Sequence, residues 1–176
     1  MLVIAIDPSG NFTEGKGTTG ICFGHDTGEV IGFTRVSAEE FNTVHDYYGA
    51  ILLTIQDIIK AHTVDGNVEF VIEDYRLYHH KGMSASTQAN SLLETPRLIG
   101  VLEWELQGKH NYPIKKHMAS DVKTRWSDSV LVHLDDMMKT GTRYKIRTIT
   151  GYQPCVVHER DALRHFKHYC KYTNKR

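Results

Sequence analysis

The sequence predicts an α/β domain built on a mixed five-stranded sheet with helices on both of its faces. Two near-continuous apolar runs, residues 1–7 and 67–74, each end in an acidic residue, as strands buried on both faces do. Two shorter extended patterns follow the first run, and helical and extended patterns then alternate. A strand meander followed by such alternation is typical of a mixed sheet covered by helices. No repeat or linker divides the 176 residues, so we expect one domain over 1–176.

The first half of the chain predicts a meander of three strands and then a long helix. We interpret residues 17–25 and 30–36 as the second and third strands, joined by a short turn. Ser37 and Glu40 have the S-x-x-E spacing of a capping box at a helix start. Apolar residues then recur at helical spacing as far as His62, which predicts one amphipathic helix. These residues are Phe41, Val44, Tyr48, Ile51, Ile55 and Ile58.

The middle of the chain alternates between extended and helical patterns. The strand at 67–74 precedes a loop, residues 75–88, in which no period is visible. Residues 89–109 predict a helix that Pro96 interrupts. Residues 112–119 predict the fifth strand.

The remaining residues are dominated by helical patterns. Residues 120–141 predict one or two helices that end near Gly141. Residues 142–154 are basic and rich in β-favouring residues, and their structure is left open. Residues 157–172 predict the last helix.

The composition is that of an ordinary globular protein, with 40% hydrophobic and 24% charged residues. No apolar run approaches the ~18 residues of a membrane helix, so no membrane partner is expected. The amino terminus lacks the basic region of a secretory signal, and Asp7 interrupts its apolar run. The three cysteines lack metal-type spacing and are interpreted as free thiols in a cytoplasmic protein.

Charge is distributed unevenly along the chain, although the formal net charge is zero. Residues 1–108 contain 6 Lys and Arg against 15 Asp and Glu, whereas residues 109–176 contain 15 against 6. Such asymmetry suggests a polyanionic partner for the second half. A solvated basic surface explains the charge alone equally well.

Acidic side chains end two of the predicted buried strands. Asp7 ends the first strand and Glu73 stands at the end of the fourth. Functional groups gather beyond the carboxyl ends of strands in open α/β sheets. The segment VVHERDAL places His158 and Asp161 at i and i+3, on one face of the first turn of the last helix. We expect all four side chains to face the same place.

Three carboxylates and one imidazole would form a mostly oxygen site that suits Mg²⁺ or Mn²⁺. Two such ions, roughly 3.5–4 Å apart, activate water and stabilise the leaving oxygen in phosphodiester hydrolysis. Bound cations would also remove the repulsion between the carboxylates. The metal-free site is therefore expected to be less stable or to contain a carboxyl group of raised pKa. Taken singly, each acid could instead have an N-cap or turn role, and His158 could be an ordinary helix residue.

Several segments, in the right order, resemble the RuvC-type Holliday-junction resolvases of the ribonuclease H-like superfamily. IAIDPSG with GTTGICF resembles their first two strands, VIED their fourth-strand glutamate motif, and HERDALRHF their closing helix. ETPRLIGVLEWEL resembles a helix with an R-G pair, and ASDVKTRW a segment with a DNA-contacting basic residue, here Lys123. The resemblance implies a ribonuclease H-like fold, a homodimer and a two-metal site using Mg²⁺, with Mn²⁺ also supporting activity. The implied catalytic and metal-binding residues are Asp7, Glu73, His158 and Asp161.

Three features depart from the family's pattern. Arg97 and Gly100 are separated by two residues, and TRWSDSVLVHL replaces the glycine-rich, lysine-bearing stretch after the V-K pair. The loop after Glu73 is also longer than in bacterial members. The last two segments would touch DNA, so selectivity for four-way junctions is left open. A divergent form, for example from a bacteriophage, would fit these departures.

Residues of the second half are expected to contact DNA phosphates, with a salt-dependent contribution to affinity. They are Lys115, Lys116, Lys123, Arg125, Lys145 and Arg147. Tyr75 and Tyr78 could stack on bases at a branch point, although Tyr75 and Leu77 could equally cover the edge of the core. His79 and His80 are interpreted as solvated loop residues or as proton-transfer groups near the site.

The sequence therefore predicts a metal-dependent endonuclease that resolves Holliday junctions and other branched DNA. Three alternatives stay open. They are a less selective nuclease acting on flaps, forks or RNA–DNA hybrids, a non-catalytic junction-binding protein, and a nucleotide binder of the actin/sugar-kinase type. The last usually needs a second, duplicated domain, for which 176 residues leave little room.

Overall fold

The computed structural model of the protein describes residues 1–63, 66–75 and 93–173. Its main sheet consists of β1 Leu2–Asp7, β2 Thr18–His25, β3 Val30–Ser37, β4 Val68–Asp74 and β5 Ile114–Met118. The strand order is β3-β2-β1-β4-β5. β1 is antiparallel to β2 and parallel to β4, and β5 is parallel to β4. The predicted mixed sheet of five strands is confirmed.

Helices cover both faces of this sheet, as predicted. They are α1 Val44–His62 and α2 Glu94–Glu103 on one face, and α3 Ala119–Arg125, α4 Asp128–His133 and α5 Val157–His168 on the other. Short π-helical segments, Trp104–Lys109 and Tyr169–Thr173, extend α2 and α5. Within the described ranges, no helix is long and apolar enough to cross a lipid bilayer.

Period-two alternation along the strands decides which side chains reach each helical layer. On β1, Ile4 packs with α1 and α2, whereas Ala5 packs with α3, α4 and α5. Every residue of β1 is buried, which explains the continuous apolar run. Asp7 follows Ala5 by two residues and therefore faces α5. On β4, Glu73 follows Val71 by two residues and faces the same layer.

The predicted start of the first helix is wrong. Ser37 still belongs to β3, makes no capping hydrogen bond and precedes a single 3-10 turn, Ala38–Glu40. Helix α1 begins at Val44, and its N-cap is Thr43. The Oγ1 atom of Thr43 accepts a hydrogen bond from the backbone N–H of Asp46 at 3.1 Å. The capping box in the sequence therefore marks a bend before the helix rather than the helix itself.

Pro96 does not interrupt α2. It stands in the first helical turn, where a backbone N–H has no acceptor within the helix and its loss costs nothing. The helix is therefore continuous from Glu94. Residues 76–92, which contain most of the predicted loop and the start of the predicted helix, lie outside the described residues.

A second, antiparallel sheet stands where a helix end and a segment of open structure are predicted. It consists of β6 Met137–Thr140, β7 Arg143–Thr148 and β8 Gly151–Cys155, in that order. The predicted helical region therefore ends at His133 rather than near Gly141. The φ of Gly141 is 61°, which suits the tight turn between β6 and β7. One face of this sheet packs against the layer of α5 through Met137 and Ile146.

Candidate active site

Asp7 and Glu73 lie side by side at the carboxyl edge of the main sheet. β1 and β4 are parallel neighbours whose register runs to the pair Ile6 and Ile72, and the next residue on each strand is one of the two acids. Neighbouring strands are about 4.8 Å apart. Asp7 is buried, whereas the Glu73 side chain is 19% exposed. The edge therefore holds two adjacent carboxylates within reach of solvent.

Gly20 allows the start of α5 to reach this edge. Gly20 is the β2 residue that pairs with Asp7, and a Cβ at this position would overlap the backbone carbonyl of His158. Glycine is therefore required for the close approach. As a result, Nδ1 of His158 lies 2.8 Å from Oδ2 of Asp7 and donates a hydrogen bond to it. The predicted meeting of His158 with a strand-end acid is thus observed.

His165 positions the second acid. It stands seven residues after His158, on the same face of α5. Its Nε2 lies 2.7 Å from Oε2 of Glu73 and donates a hydrogen bond to it, and the imidazole ring is completely buried. Its Nδ1 has no hydrogen-bond partner among the described residues, so the bond to Glu73 fixes the orientation of the ring.

The pKa of Glu73 is lowered from its usual value. Burial alone would raise it, but the hydrogen bond and the charge of His165, together with the charges of Lys123 and His158, outweigh that effect. The raised carboxyl pKa that was one expectation for a metal-free site is therefore not found at Glu73. The carboxylate is instead stabilised in its ionised form, the form that binds cations.

Another histidine, His117, lies beside the pair of Glu73 and His165. His117 of β5 is in register with Glu73, its ring stacks on that of His165 at 6.0 Å, and it meets His168 edge-on at 4.8 Å. Burial, followed by the charges of His165 and His168, lowers the pKa of His117 to about 4. His117 is therefore uncharged near neutral pH.

Asp161 is held by two basic side chains. Its Oδ2 lies 3.0 Å from Nζ of Lys123, and its Oδ1 is bound by Arg164, one helical turn further along α5. Arg164 also binds Asp128 at the start of α4. The charge of Lys123 also lowers the pKa of Glu73. Lys123, predicted to contact DNA, is therefore a partner of a predicted metal ligand.

Three carboxylates and an imidazole are donors that suit a hard divalent cation, and three of the four, Asp7, Glu73 and His158, meet at one sheet edge. In the described part of the chain, however, no three His, Cys, Asp or Glu side chains are arranged around a common metal position. The acids contact the imidazoles and basic groups described above instead. A cation bound by Asp161 would compete with Lys123 and Arg164 for the two carboxylate oxygens.

The other predicted DNA-contact residues are dispersed. Lys115 is exposed on the edge strand β5, and Lys116 pairs with a carboxylate at the end of α2 at 2.7 Å. The guanidinium of Arg125 lies 5.0 Å from the centre of a tyrosine ring in the extension of α5. Tyr75 is half-buried and packs against the core, as its alternative interpretation held. Outside the described residues lie Leu77, Tyr78, His79 and His80.

Sequence reasoning missed His165 and Arg164, although both stand in the motif HERDALRHF. The i, i+7 spacing of His158 and His165 spans two helical turns and indicates a shared face. The i, i+3 spacing of Asp161 and Arg164 is that of a helical ion pair. Both spacings can be seen in the sequence, but neither indicates which strand the helix packs against.

Comparisons with known proteins show the fold. No protein-family model matches the sequence, and no curated protein matches it. A structure of T. thermophilus RuvC in complex with a Holliday junction substrate matches with a TM-score of 0.62 at 13% identity, covering 99% of this chain and 96% of that chain. Another Thermus thermophilus RuvC structure matches with a TM-score of 0.56 at 13% identity, covering 97% and 94%. The chain therefore has a RuvC-like, ribonuclease H-like fold, as the resemblance predicted.

Proposed function

We propose that this chain is a metal-dependent endonuclease that resolves four-way DNA junctions. The observation that carries the proposal is the meeting of Asp7, Glu73 and His158 at the carboxyl edge of a sheet with a RuvC-like fold. One of the similar structures is a RuvC bound to a Holliday junction substrate. The basic second half of the chain suits a polyanionic substrate.

Two divalent cations, Mg²⁺ or Mn²⁺, are proposed to bind at this edge. Bound there, they supply an activated water and stabilisation of the leaving oxygen. The chain's own contribution is to hold the ligands in place, because His165 fixes the Glu73 carboxylate and the contact at Gly20 fixes the first turn of α5. The proposed ligands are Asp7, Glu73, His158 and Asp161.

Lys123 is proposed to have two roles. Together with Arg164 it balances the charge of Asp161, which is otherwise a buried carboxylate among other acids. The Lys123 side chain is 45% exposed, so an ammonium released from Asp161 can reach a phosphate of the substrate strand. Cation binding and DNA contact are thus coupled through one side chain.

The assembly is proposed to be a cytoplasmic homodimer. Two copies related by a twofold axis would place one candidate site on each of two opposed strands of a junction. Light scattering of the purified chain, with and without junction DNA, measures this directly. A monomeric mass in both conditions would contradict the homodimer.

Cleavage of a panel of labelled DNAs tests the proposed function. Four-way junction, three-way junction and linear duplex are each incubated with Mg²⁺, Mn²⁺ or a chelator, and Asp7→Asn serves as the control for contaminating nucleases. Symmetric, metal-dependent nicks in the four-way junction alone are expected. Binding of the junction without cleavage under either metal would contradict the proposal and indicate a non-catalytic junction-binding protein.

A less selective nuclease acting on flaps and forks is the second candidate. It is favoured by the segment after Lys123, where TRWSDSVLVHL, which contains α4, stands in place of the family's glycine-rich stretch. Equal cutting of three-way and four-way DNA in the same panel would select this candidate.

A further inference from the structure

The outer face of the three-stranded sheet is basic along its whole central strand. Residues 137–155 contain four basic residues and no Asp or Glu. Along β7, Tyr144, Ile146 and Thr148 are buried or half-buried against the layer of α5. By the period-two alternation, the side chains between them point to the opposite face. They are Arg143, Lys145 and Arg147.

Flanking strands widen this face without adding negative charge. Residues opposite one another in an antiparallel pair share a face. Lys145 is opposite Met138 of β6 and Pro154 of β8, and Arg147 is opposite Tyr152. Met138 is 40% exposed, so the rim of the face is open. We call the surface formed by Arg143, Lys145 and Arg147 the basic face.

Ion pairs between described residues neutralise only part of the charge on the basic face. Arg147 pairs with Asp135, whose side chain is 65% exposed, and Tyr152 donates a hydrogen bond to the same carboxylate. Among the described residues, that is the one ion pair on the basic face. No ion pair with another described residue involves Arg143, which is exposed, or Lys145, which is half-buried.

The small sheet leads directly into the helix of the candidate site. β8 leads directly into α5, and Cys155, opposite Tyr144, is three residues before His158. The Arg143 end of β7 therefore lies toward the first turn of α5. The other end of β7 is joined to β3 by the hydrogen bond from Ile149 N–H to the Val30 carbonyl at 3.0 Å.

The spacing of the basic face suits a regular polyanion. Alternate residues of a strand are about 6.7 Å apart, so the three cations span roughly 13 Å. A DNA strand advances about 3.4 Å per phosphate along its axis, so this span covers on the order of four phosphates.

We propose that the basic face binds the phosphate backbone of a duplex DNA arm beside the candidate site. This inference rests on the proposed function and names where the uncut part of the substrate lies. It assigns Arg143, which the sequence analysis did not single out, to DNA binding. It also explains why residues 137–155 lack acids although they belong to a sheet with one exposed face.

The test is the salt dependence of junction binding, measured by fluorescence anisotropy in the presence of a chelator. The variant Arg143→Gln/Lys145→Gln removes two charges from the basic face. The matched control Lys60→Gln/Lys139→Gln removes two charges from exposed sites elsewhere, on α1 and on the other face of the small sheet. We expect the first variant to reduce the slope of log K against log salt by about two and affinity at low salt by roughly 10-fold or more. The control should keep the wild-type slope.

An unchanged slope in Arg143→Gln/Lys145→Gln, or an equal reduction in the control, would overturn the inference. The single variant Arg143→Gln, at an exposed position, should reduce the slope by about one and guards against unfolding of the double variant. Cleavage separates this inference from the proposed function. A wild type that cuts junctions while the slopes stay equal defeats the inference alone, and a wild type that binds with the expected slopes but never cuts defeats the proposed function alone.

Discussion

The two sheets of this chain differ in what their faces do. The five-stranded sheet is covered on both faces, every residue of β1 is buried, and Asp7 and Glu73 stand where its strands end. The three-stranded sheet covers one face and exposes the other, so its charged residues alternate along the whole of β7. A buried strand end holds a few groups in fixed positions, whereas an exposed face offers repeated charge. The first suits chemistry on a single bond, and the second suits contact with a long polyanion.

The largest effect is expected where α5 meets the main sheet. We predict that Gly20→Ala lowers the free energy of unfolding by about 3 kcal/mol, because the new Cβ overlaps the backbone of His158. Relief of the overlap moves α5 away from β2, so the hydrogen bond between His158 and Asp7 is lost. Urea unfolding followed by circular dichroism measures the change.

Gly49→Ala is the matched control for this variant. Gly49 lies within α1, and a Cβ there meets no atom within 4 Å. Replacing a helical glycine by alanine at an open position should stabilise the protein by about 0.5–1 kcal/mol. If both variants were destabilised alike, the steric account of Gly20 would be wrong.

The next effect concerns the partner of Glu73. We predict that His165→Leu lowers junction cleavage roughly 10- to 100-fold and raises the Mg²⁺ concentration needed for half-maximal rate, because the carboxylate loses the donor that orients it. His165→Gln, which keeps an N–H donor, should retain more activity. The measurement is the cleavage rate over a Mg²⁺ titration, and a His165→Leu variant with the wild-type titration would contradict the positioning role.

A smaller effect is expected from pH. The pKa of His117 is lowered to about 4 by burial and by two neighbouring histidines, below the ordinary value of 6.5 that it regains on unfolding. The unfolded chain therefore binds the proton more readily between pH 6.5 and pH 4, and stability falls as the pH is lowered through that window. His117→Phe should reduce this fall by on the order of 1–2 kcal/mol, since the histidine is only partly buried. Urea unfolding at pH 4.5 and pH 7 tests it, and equal pH dependence of the two proteins would contradict it.

The smallest effect is expected on the exposed face of the small sheet. The side chains of Arg147 and Asp135 are 56% and 65% exposed, and such pairs contribute about 0.2–1 kcal/mol. Arg147→Gln should therefore change the free energy of unfolding by less than about 1 kcal/mol. A loss above about 2 kcal/mol in urea unfolding would mean that Arg147 stabilises the fold of the small sheet and is not only a surface residue.

The difference in burial between the two sheets also explains which elements could be predicted from the sequence. β1 and β4 are buried on both faces, so their apolar runs are continuous and their ends are marked by acids. In the small sheet, only alternate residues such as Ile146 are buried, and polar residues interrupt them. Met137 and Met138 also continue the helical pattern before them. Gly141 fits a helix end as well as a hairpin turn, so the local sequence does not distinguish a helix from a hairpin here.

The acids of the candidate site and His158 could be predicted, but the partners of Glu73 and Asp161 could not. Asp7 and Glu73 could be named because a strand end is a local feature of the sequence. The contact of Glu73 with His165 joins residues 92 positions apart and depends on how α5 packs across the sheet. The sequence predicts Lys123 as a DNA-contacting residue, and nothing in its own segment indicates its contact with Asp161.

Junction cleavage by Asp7→Asn, compared with Asp57→Asn under Mg²⁺, tests the central claim most directly. Both variants remove one carboxylate charge, but Asp7 stands at the candidate site while Asp57 is exposed on α1. The account predicts a loss of at least roughly 1000-fold for Asp7→Asn with junction binding retained, and wild-type cleavage for Asp57→Asn. Cleavage by Asp7→Asn at the wild-type rate would show that the reaction does not take place at this edge of the sheet.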